Sequence, residues 1–178
     1  MRPMPKSPYG ITKLDGEYYL QMYNEAFGLG TASLRYFNVF GPGQDPGSQY
    51  AAAIPVFVSN ALKNEPLTIH GDGHQTRDFV FVKDVAHANF LAATMPDATG
   101  VYNVARGESI SIGEIAKLVI SQTDSRSQLE FAPERPGDIK HSLASIDETR
   151  NDLGFEPRYN LIDGLKQTID YFVRIFQG

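Results

Sequence analysis

Short apolar segments of strand type alternate with segments of helical periodicity along most of this 178-residue chain. The strand-type segments are rich in β-branched and aromatic residues, and they are 31–37, 67–70, 77–82, 101–105 and 128–132. The helical segments are 9–27, 51–63, 83–95, 111–122, 147–153 and 161–176. Segments rich in Gly, Pro or polar residues at 38–50, 71–76 and 133–138 are predicted to be loops or turns. This alternation predicts an α/β fold with some parallel strand pairing.

Two helix termini carry capping residues. Ser111 followed by Glu114 has the pattern of a capping box, which predicts that a helix begins there. Gly154 directly follows the segment 147–153 and predicts the end of a short helix.

Composition excludes several classes of function. The chain contains no cysteine, so disulfides, thiolate catalysis and cysteine-ligated zinc are excluded. Its net charge of −5 argues against nucleic-acid binding, which usually requires a basic face, but is compatible with a small anion held by a few arginines. No apolar run approaches the roughly 18 residues of a membrane span, and the N-terminal sequence has no signal-peptide core. We therefore expect a cytoplasmic protein with no membrane or nucleic-acid partner.

The first motif of interest is a tyrosine followed four residues later by a lysine. On a helix this spacing places Tyr9 and Lys13 on one face. A tyrosine hydroxyl has a pKa of about 10, and a neighbouring ammonium group favours its phenolate form. The pair suits proton abstraction from a sugar hydroxyl while hydride leaves the same carbon. By itself the pattern is more typical of an ordinary helix surface, because tyrosine and lysine at this spacing also occur by chance.

Glycine pairs in the chain do not form a dinucleotide-binding loop. Such a loop requires a strand, a Gly-rich turn and a helix in succession. The pairs at 41–43 and 71–73 lack the third, helix-packing glycine, and the first contains a proline. Both are interpreted as turns.

Four potential metal ligands crowd one short segment: His70, Asp72, His74 and Asp78. The intervening glycines favour a tight turn between two strands, so no metal is predicted. His87, with Ala and Phe neighbours on a helix, is interpreted as structural.

Four longer motifs occur in a fixed order along the chain. They are SPYGITKLDGEYY, SLRYFNVFGPGQDP, LTIHGDGHQTRDFVFVKDVAHA and APERPGDIKHSLASI. Together they resemble the extended short-chain dehydrogenase/reductases, in particular the NAD-dependent nucleotide-sugar epimerase/dehydratase branch and its UDP-N-acetylglucosamine/UDP-glucose 4-epimerases. The resemblance runs from Ser7 to the end of the chain.

The resemblance implies a fold of two parts. Residues 1–45 would be the C-terminal part of a Rossmann-type NAD-binding domain, with the catalytic helix and the following strand. Residues 46–178 would form a small mixed α/β nucleotide-sugar domain, from which about 83–105 return to the Rossmann sheet.

The resemblance also assigns residues to NAD and to catalysis. Tyr9 corresponds to the catalytic tyrosine, and Lys13 to its partner, which also holds the nicotinamide ribose. Tyr36 and Phe37 correspond to residues that pack beside the nicotinamide.

A further set of residues is implied to bind a UDP-sugar. Asn38 corresponds to a diphosphate ligand, Arg77 and Arg135 to a diphosphate clamp, and Asp138 to the acceptor of the ribose hydroxyls. The uracil edge and the sugar pocket correspond to Leu67, Thr68, Ile69, Ala52 and Ser142. A planar guanidinium suits a diphosphate, and a carboxylate can accept from two vicinal hydroxyls.

Each of these polar residues also has an ordinary structural interpretation. Arg77 could pair with Asp78 or Asp84. Arg135 and Asp138 could form a solvated loop pair of little energetic value. Asn38 could cap its own turn.

Two positions favour N-acetylated sugars. Galactose-type members tend to carry a tyrosine where this chain has Ser142, and an asparagine where it has Ala52. Smaller side chains leave room for an N-acetyl group, and one such pocket can change preference by about 1–3 kcal/mol. The resemblance thus implies C4 epimerisation of UDP-N-acetylglucosamine and UDP-N-acetylgalactosamine, with UDP-glucose and UDP-galactose remaining open.

The resemblance further implies that the chain is the C-terminal part of an enzyme. The Gly-rich cofactor loop is missing, and Ser7 is too near Tyr9 to be the family's upstream Ser/Thr. We therefore expect the chain alone neither to hold NAD nor to turn over. The alternatives are a non-catalytic UDP-sugar-binding fragment, and a dehydratase or decarboxylase of the same branch.

A homodimer is the implied assembly. In the family the helix corresponding to Tyr9–Phe27 pairs with its copy. Tyr18, Tyr19, Met22 and Tyr23 give that helix apolar surface on more than one face.

Overall fold

The computed structural model describes residues 3–5, 7–47, 52–135 and 137–177. The helices in these ranges are α1 (Pro8–Phe27), α2 (Ala53–Leu62), α3 (Val82–Thr94), α4 (Ile112–Gln122), α5 (Asp147–Leu153) and α6 (Leu161–Gln177). The strands are β1 (Ala32–Tyr36), β2 (Asn38–Phe40), β3 (Leu67–His70), β4 (Thr76–Arg77), β5 (Phe79–Phe81), β6 (Gly100–Val104), β7 (Ile110–Ser111) and β8 (Leu129–Ala132). Each helix and strand predicted from the sequence has a counterpart among them.

The strands form four pairs, of which three are parallel. β1 pairs with β6, β2 with β5, and β3 with β8, all in parallel register. β4 pairs antiparallel with β7. The pairing of β1 with β6 joins segments 68 residues apart, from Ala32 to its register partner Gly100. The predicted α/β class with parallel pairing is therefore confirmed.

Three local predictions differ from the structure. The segment 38–50 was predicted to be a loop, but residues 38–40 form β2, and 48–50 lie outside the described residues. The predicted strand 77–82 is interrupted at Asp78, whose buried carboxylate binds backbone N–H groups elsewhere. The two-residue strand β7 was not predicted, because so short a segment has no periodicity to detect.

Three helix termini lie next to residues that cap them. The hydroxyl of Ser7 accepts from the N–H of Gly10 at 3.1 Å, and α1 ends at Gly28 in the left-handed conformation. The capping box of α4 is present, because Ser111 and Glu114 each bind the other's backbone N–H. Gly154 ends α5 with φ 65°, as predicted.

The main hydrophobic core lies between helices α2, α4 and α6 and strands β2, β3 and β5. α6 approaches this core closely at Gly164, where an added Cβ would lie 2.8 Å from Cζ of Phe40. A second cluster forms between α3, α5 and β6, around Tyr102 and Phe155. Within the described ranges, no helix is long and apolar enough to cross a membrane.

Helix α1 is attached to the rest of the chain mainly by polar contacts. Arg35 on β1 donates two hydrogen bonds to the carboxylate of Glu17, and Thr31 donates to the carbonyl of Leu20. No described residue of α1 is buried. Its aromatic side chains are therefore largely exposed in the isolated chain.

Candidate functional site

A cavity of about 280 Å³ lies beside the ends of strands β2, β3 and β4. Among the predicted substrate residues, those that line it are Asn38, Ala52, Thr68, Ile69, Arg77, Arg135 and Asp138. They come from five separate segments of the chain, so the fold brings together residues that are distant in sequence. We call this the main cavity.

Leu67 and Ser142 lie outside the lining of the main cavity. The side chain of Leu67 is fully buried in the main core. Ser142 is half-buried, and its N–H donates to the carbonyl of Thr76 at 3.1 Å. Ser142 therefore lies alongside β4, next to Arg77.

Arg77 is held by a carboxylate and a carbonyl on the wall of the main cavity. Its guanidinium donates to Asp138 at 2.5 Å and to the carbonyl of Thr76 at 2.8 Å. The side chain of Arg77 is 12% exposed and that of Asp138 is 42% exposed. Arg77 thus pairs with Asp138. The alternative pairing of Arg77 with Asp78 or Asp84 is not observed.

Arg135 has a different partner. Its guanidinium lies 3.1 Å from Nε2 of His70, at the end of β3, and its carbonyl accepts from the N–H of Asp138. The predicted alternative of an Arg135–Asp138 side-chain pair is therefore not observed.

Both polar and apolar side chains line the main cavity. Asn38 lies on β2, with its N–H bonded to the carbonyl of Asp78 at 3.1 Å, so it is a strand residue and not a turn cap. Phe57, Phe79 and Ile112 add apolar surface to the lining. A cavity with apolar walls and a few convergent polar groups is typical of small-ligand sites.

Asp78 organises the segments around the site. Its buried carboxylate accepts from the N–H groups of Arg106 at 2.8 Å, Gly107 at 3.0 Å and Ala144 at 3.4 Å. Burial raises the pKa of Asp78, and these backbone N–H groups partly oppose that rise. The Asp78 carboxylate lies at the break between β4 and β5. Its hydrogen bonds hold two other segments there, one after β6 and one after Asp138.

Sequence reasoning missed this role of Asp78. A local signal marks only the break in the strand, because aspartate is depleted in strand interiors and Asp78 interrupts an otherwise apolar strand pattern. His70 was also missed as a partner of Arg135, and only its pairing across 65 residues reveals it.

The candidate metal ligands do not converge. Nδ1 of His70 lies 3.2 Å from the carbonyl of Pro133, and Asp72 accepts from the N–H of His74. Over the ranges that the structure describes, no group of three or more His, Asp or Glu side chains is placed to hold a metal ion.

Tyr9 and Lys13 share one exposed face of α1. The ammonium of Lys13 lies 5.2 Å from the ring centroid of Tyr9, which is 71% exposed. Neither residue lines the main cavity. Lys13 instead lines a separate cleft of about 330 Å³ with Glu17 and Arg35.

The two predicted nicotinamide neighbours lie at the end of β1. The hydroxyl of Tyr36 donates to Asn89 on α3 at 2.9 Å. Phe37 packs against a small cluster formed by Ala105, Ala144 and Ile146.

Comparison with known proteins places the chain in a family. A family model described as the NAD dependent epimerase/dehydratase family matches residues 1–105, more than half of the 178-residue chain. The chain belongs to this family.

Relatives of the chain are named as enzymes of isomerase type. A putative UDP-glucose 4-epimerase of Methanocaldococcus jannaschii is 35% identical over 167 residues, which cover 94% of this chain and 53% of the relative. A structure of the UDP-N-acetylglucosamine 4-epimerase from Methanobrevibacter ruminantium M1 in complex with UDP-N-acetylmuramic acid is 43% identical, with a TM-score of 0.93, and the match covers 97% of this chain and 55% of that one.

A third match contains the cofactor. The UDP-glucose 4-epimerase of Thermus thermophilus in complex with NAD is 36% identical, with a TM-score of 0.87, and the match covers 96% of this chain and 55% of that chain. These matches confirm the Rossmann-type α/β class. The chain spans about half the length of the relatives it matches.

The family is NAD dependent, and the residues of this chain fit one end of that cofactor. Tyr9 and Lys13 present a hydroxyl and an ammonium on one accessible face, which suits a nicotinamide ribose. The glycines of the pairs at 41–43 and 71–73 have positive φ. Gly73 is followed by β4 and not by a helix, so the pair at 71–73 does not form the helix N-terminus that binds a dinucleotide pyrophosphate.

Proposed function

We propose that the main cavity binds a UDP-sugar and that this chain serves NAD-dependent 4-epimerisation of a UDP-hexose in a complete enzyme. The observation that carries the proposal is the convergence of Asn38, Arg77, Arg135 and Asp138 on one cavity with apolar walls. Two guanidinium groups suit a diphosphate, and a carboxylate suits a ribose. Membership of the NAD dependent epimerase/dehydratase family is consistent with the binding of a nucleotide-sugar in this cavity.

The residues of α1 and those of the main cavity have separate roles in the proposed reaction. The phenolate of Tyr9 accepts the proton of the C4 hydroxyl, and the ammonium of Lys13 lies on the same helix face, 5.2 Å from the centroid of the Tyr9 ring. A bound NAD supplies the acceptor and donor of the C4 hydride. Arg77, Arg135 and Asn38 hold the diphosphate while the oxidised sugar turns to present its other face. Their binding energy is remote from the reacting carbon and can be used for orientation.

We further propose UDP-N-acetylglucosamine and UDP-N-acetylgalactosamine as the preferred pair, with UDP-glucose and UDP-galactose as a second pair. Ala52, which lines the main cavity, and Ser142, which follows Asp138 by four residues, have small side chains that leave space near the sugar. One structural neighbour, 43% identical to this chain, is a UDP-N-acetylglucosamine 4-epimerase, which is consistent with this preference.

A homodimer through α1 is part of the proposal. Tyr19, Tyr23 and Phe27 follow one another at four-residue spacing, and all three are exposed. Such a stripe on a helix is suited to packing against a copy of itself.

The direct test is ligand binding by this chain. Thermal denaturation with UDP-N-acetylglucosamine at 100 times its Kd should show a stabilisation of about 2.7 kcal/mol. NAD added alone should give no comparable stabilisation, because the 178-residue sequence contains no G-x-G-x-x-G run. Absence of any shift with the UDP-sugar would contradict the proposal.

A second candidate is a UDP-sugar-binding module without catalysis. It is favoured by the position of Tyr9, which is exposed and does not line the main cavity. Binding without conversion of UDP-N-acetylglucosamine by this chain plus NAD is expected under both proposals. Conversion that appears when an NAD-binding N-terminal half of a 4-epimerase is added, and that Tyr9→Phe abolishes, would favour the enzyme. A 4,6-dehydratase would instead release a 4-keto-6-deoxy product in that assay, and a decarboxylase would act only when a UDP-uronic acid replaces the substrate.

A further inference from the structure

His70 lies at the wall between the main cavity and a smaller cavity of about 50 Å³. Its Nδ1 is 3.2 Å from the carbonyl oxygen of Pro133, and its Nε2 is 3.1 Å from a guanidinium nitrogen of Arg135. Its own carbonyl accepts from the side chain of Gln75 at 2.6 Å. The end of β3 is thus tied on both ring nitrogens to the loop that carries Arg135.

These two contacts require different roles of the two ring nitrogens. A backbone carbonyl can only accept a hydrogen bond, and a guanidinium can only donate. His70 therefore donates from Nδ1 to Pro133 and accepts at Nε2 from Arg135. A side chain at this position must offer one donor and one acceptor to join these two residues.

The two arginines of the main cavity are held in different ways. Arg77 is fixed by Asp138 and by the carbonyl of Thr76. For Arg135, the bond to His70 is the side-chain hydrogen bond that it makes to the described residues. The orientation of Arg135 at the cavity therefore depends on His70.

We propose that His70 is a positioning residue for the diphosphate end of the site. By accepting the hydrogen bond of the guanidinium, His70 orients Arg135 at the cavity before a UDP-sugar binds. This inference rests on the proposed UDP-sugar function of the main cavity.

The size of the effect follows from the cost of ordering a side chain. Immobilising one rotamer-rich side chain on binding changes affinity by about 3- to 10-fold. Loss of the His70 contact should weaken UDP-sugar binding by that factor, because Arg135 must then be ordered by the ligand.

The experiment is calorimetric titration of the full chain with UDP-N-acetylglucosamine. His70→Phe keeps a ring but removes both hydrogen bonds, so it should weaken binding about 3- to 10-fold. His70→Gln, whose amide can also donate to Pro133 and accept from Arg135, should bind with the wild-type affinity. The matched control His74→Phe changes an exposed histidine of the same turn and should also keep the wild-type affinity.

A double-mutant cycle provides the second measurement. If His70 acts through Arg135, the double variant His70→Phe/Arg135→Ala should bind no more weakly than Arg135→Ala alone. Rescue of the His70→Phe defect by glutamine distinguishes positioning from general loss of structure.

The outcomes separate the two proposals. Wild-type affinity in His70→Phe, or additive effects of His70→Phe and Arg135→Ala, would overturn the inference and leave the proposed function in place. No binding of the UDP-sugar by the wild type would overturn the proposed function, and the inference with it.

Discussion

Arg77 and Asp138, 61 residues apart in the sequence, are joined by a charge-assisted hydrogen bond of 2.5 Å on the wall of the main cavity. The resemblance to nucleotide-sugar epimerases implies that Arg77 binds the diphosphate and that Asp138 binds the ribose. Their pairing means that each orients the other. It also means that Asp138 competes with any anionic ligand for the guanidinium of Arg77.

This relationship predicts opposite effects of Asp138→Asn on two ligands. UDP-N-acetylglucosamine should bind at least tenfold more weakly, since a hydrogen bond to a charged group contributes about 1.5–3 kcal/mol. Pyrophosphate, which has no ribose, should bind severalfold more tightly, because Arg77 loses its competing carboxylate. Calorimetric titration with both ligands measures the two changes.

The control for Asp138→Asn is Glu134→Gln. Glu134→Gln removes the same charge from the same loop, but Glu134 does not line the main cavity. It should leave the UDP-sugar affinity unchanged. A loss or a gain of affinity for both ligands in Asp138→Asn would contradict separate roles for the ribose and the ion pair.

Ser142→Tyr is expected to change the preference between sugars. Ser142 is half-buried beside Thr76, so a tyrosine there would occupy space next to β4. The ratio of affinities for UDP-N-acetylglucosamine and UDP-glucose should fall about tenfold, within the 1–3 kcal/mol range of a single pocket change. Ser121→Tyr, on the exposed surface of α4, should leave the ratio as it is. A wild-type ratio in Ser142→Tyr would count against the N-acetyl preference.

The sequence predicts the helices and parallel strands well, because their periodicity and caps are local signals. The capping box at Ser111 is an example, since both partners lie within four residues. Long-range partners cannot be predicted in this way. The bond between His70 and Arg135 and the three backbone bonds of Asp78 depend on how distant segments meet, and no local pattern encodes that meeting. The strand break at Asp78 follows from such contacts.

The buried carboxylate of Asp78 predicts an unusual dependence of stability on pH. Burial raises its pKa above 3.8 in the folded chain, so the folded state binds the proton more tightly than the unfolded state. Its contribution is fully present below about pH 3.8 and is lost as the pH rises through the raised pKa. The free energy of unfolding of the wild type, relative to Asp78→Asn, should therefore fall as the pH rises through this window. Urea denaturation at several pH values measures it.

Asp72 provides a control of opposite sign for that measurement. The backbone N–H of His74 lowers the pKa of Asp72, so its contribution is present above pH 3.8 and is lost as the pH falls. The wild type relative to Asp72→Asn should therefore become more stable with rising pH. Equal slopes for the two variants would contradict the role of burial at Asp78.

Tyr23→Glu is expected to disrupt self-association through α1. Tyr23 is 46% exposed, and its ring lies 5.4 Å from that of Phe27 along the same helix face. A buried unpaired carboxylate at a dimer contact is strongly unfavourable, so light scattering after gel filtration should show a monomer. Gln21→Glu adds the same charge two residues away, beside Glu25, and should keep the wild-type mass. A wild-type chain that is monomeric at high concentration would refute the dimer.

The same substitution, glycine to alanine, should have opposite effects in two helices. At Gly164 in α6, an added Cβ would lie 2.8 Å from Cζ of Phe40 and 2.9 Å from Cδ2 of Phe81, whose rings are fully buried. Overpacking of this kind costs about 1–3 kcal/mol, more than the gain in helix propensity of about 1 kcal/mol. At Gly16 in α1 nothing lies within 4 Å of the added atom, so only the gain in propensity applies.

Urea denaturation should therefore show a lower free energy of unfolding for Gly164→Ala and a higher one for Gly16→Ala. Gly164→Ala should also weaken UDP-sugar binding, because Phe40 ends the strand that carries Asn38, and displacing its ring shifts that strand beside the main cavity. Gly16→Ala should leave binding unchanged, since no residue of α1 lines the main cavity. A more stable Gly164→Ala chain would mean that the Phe40 and Phe81 rings can move aside freely, and that the contact with α6 does not set the position of β2.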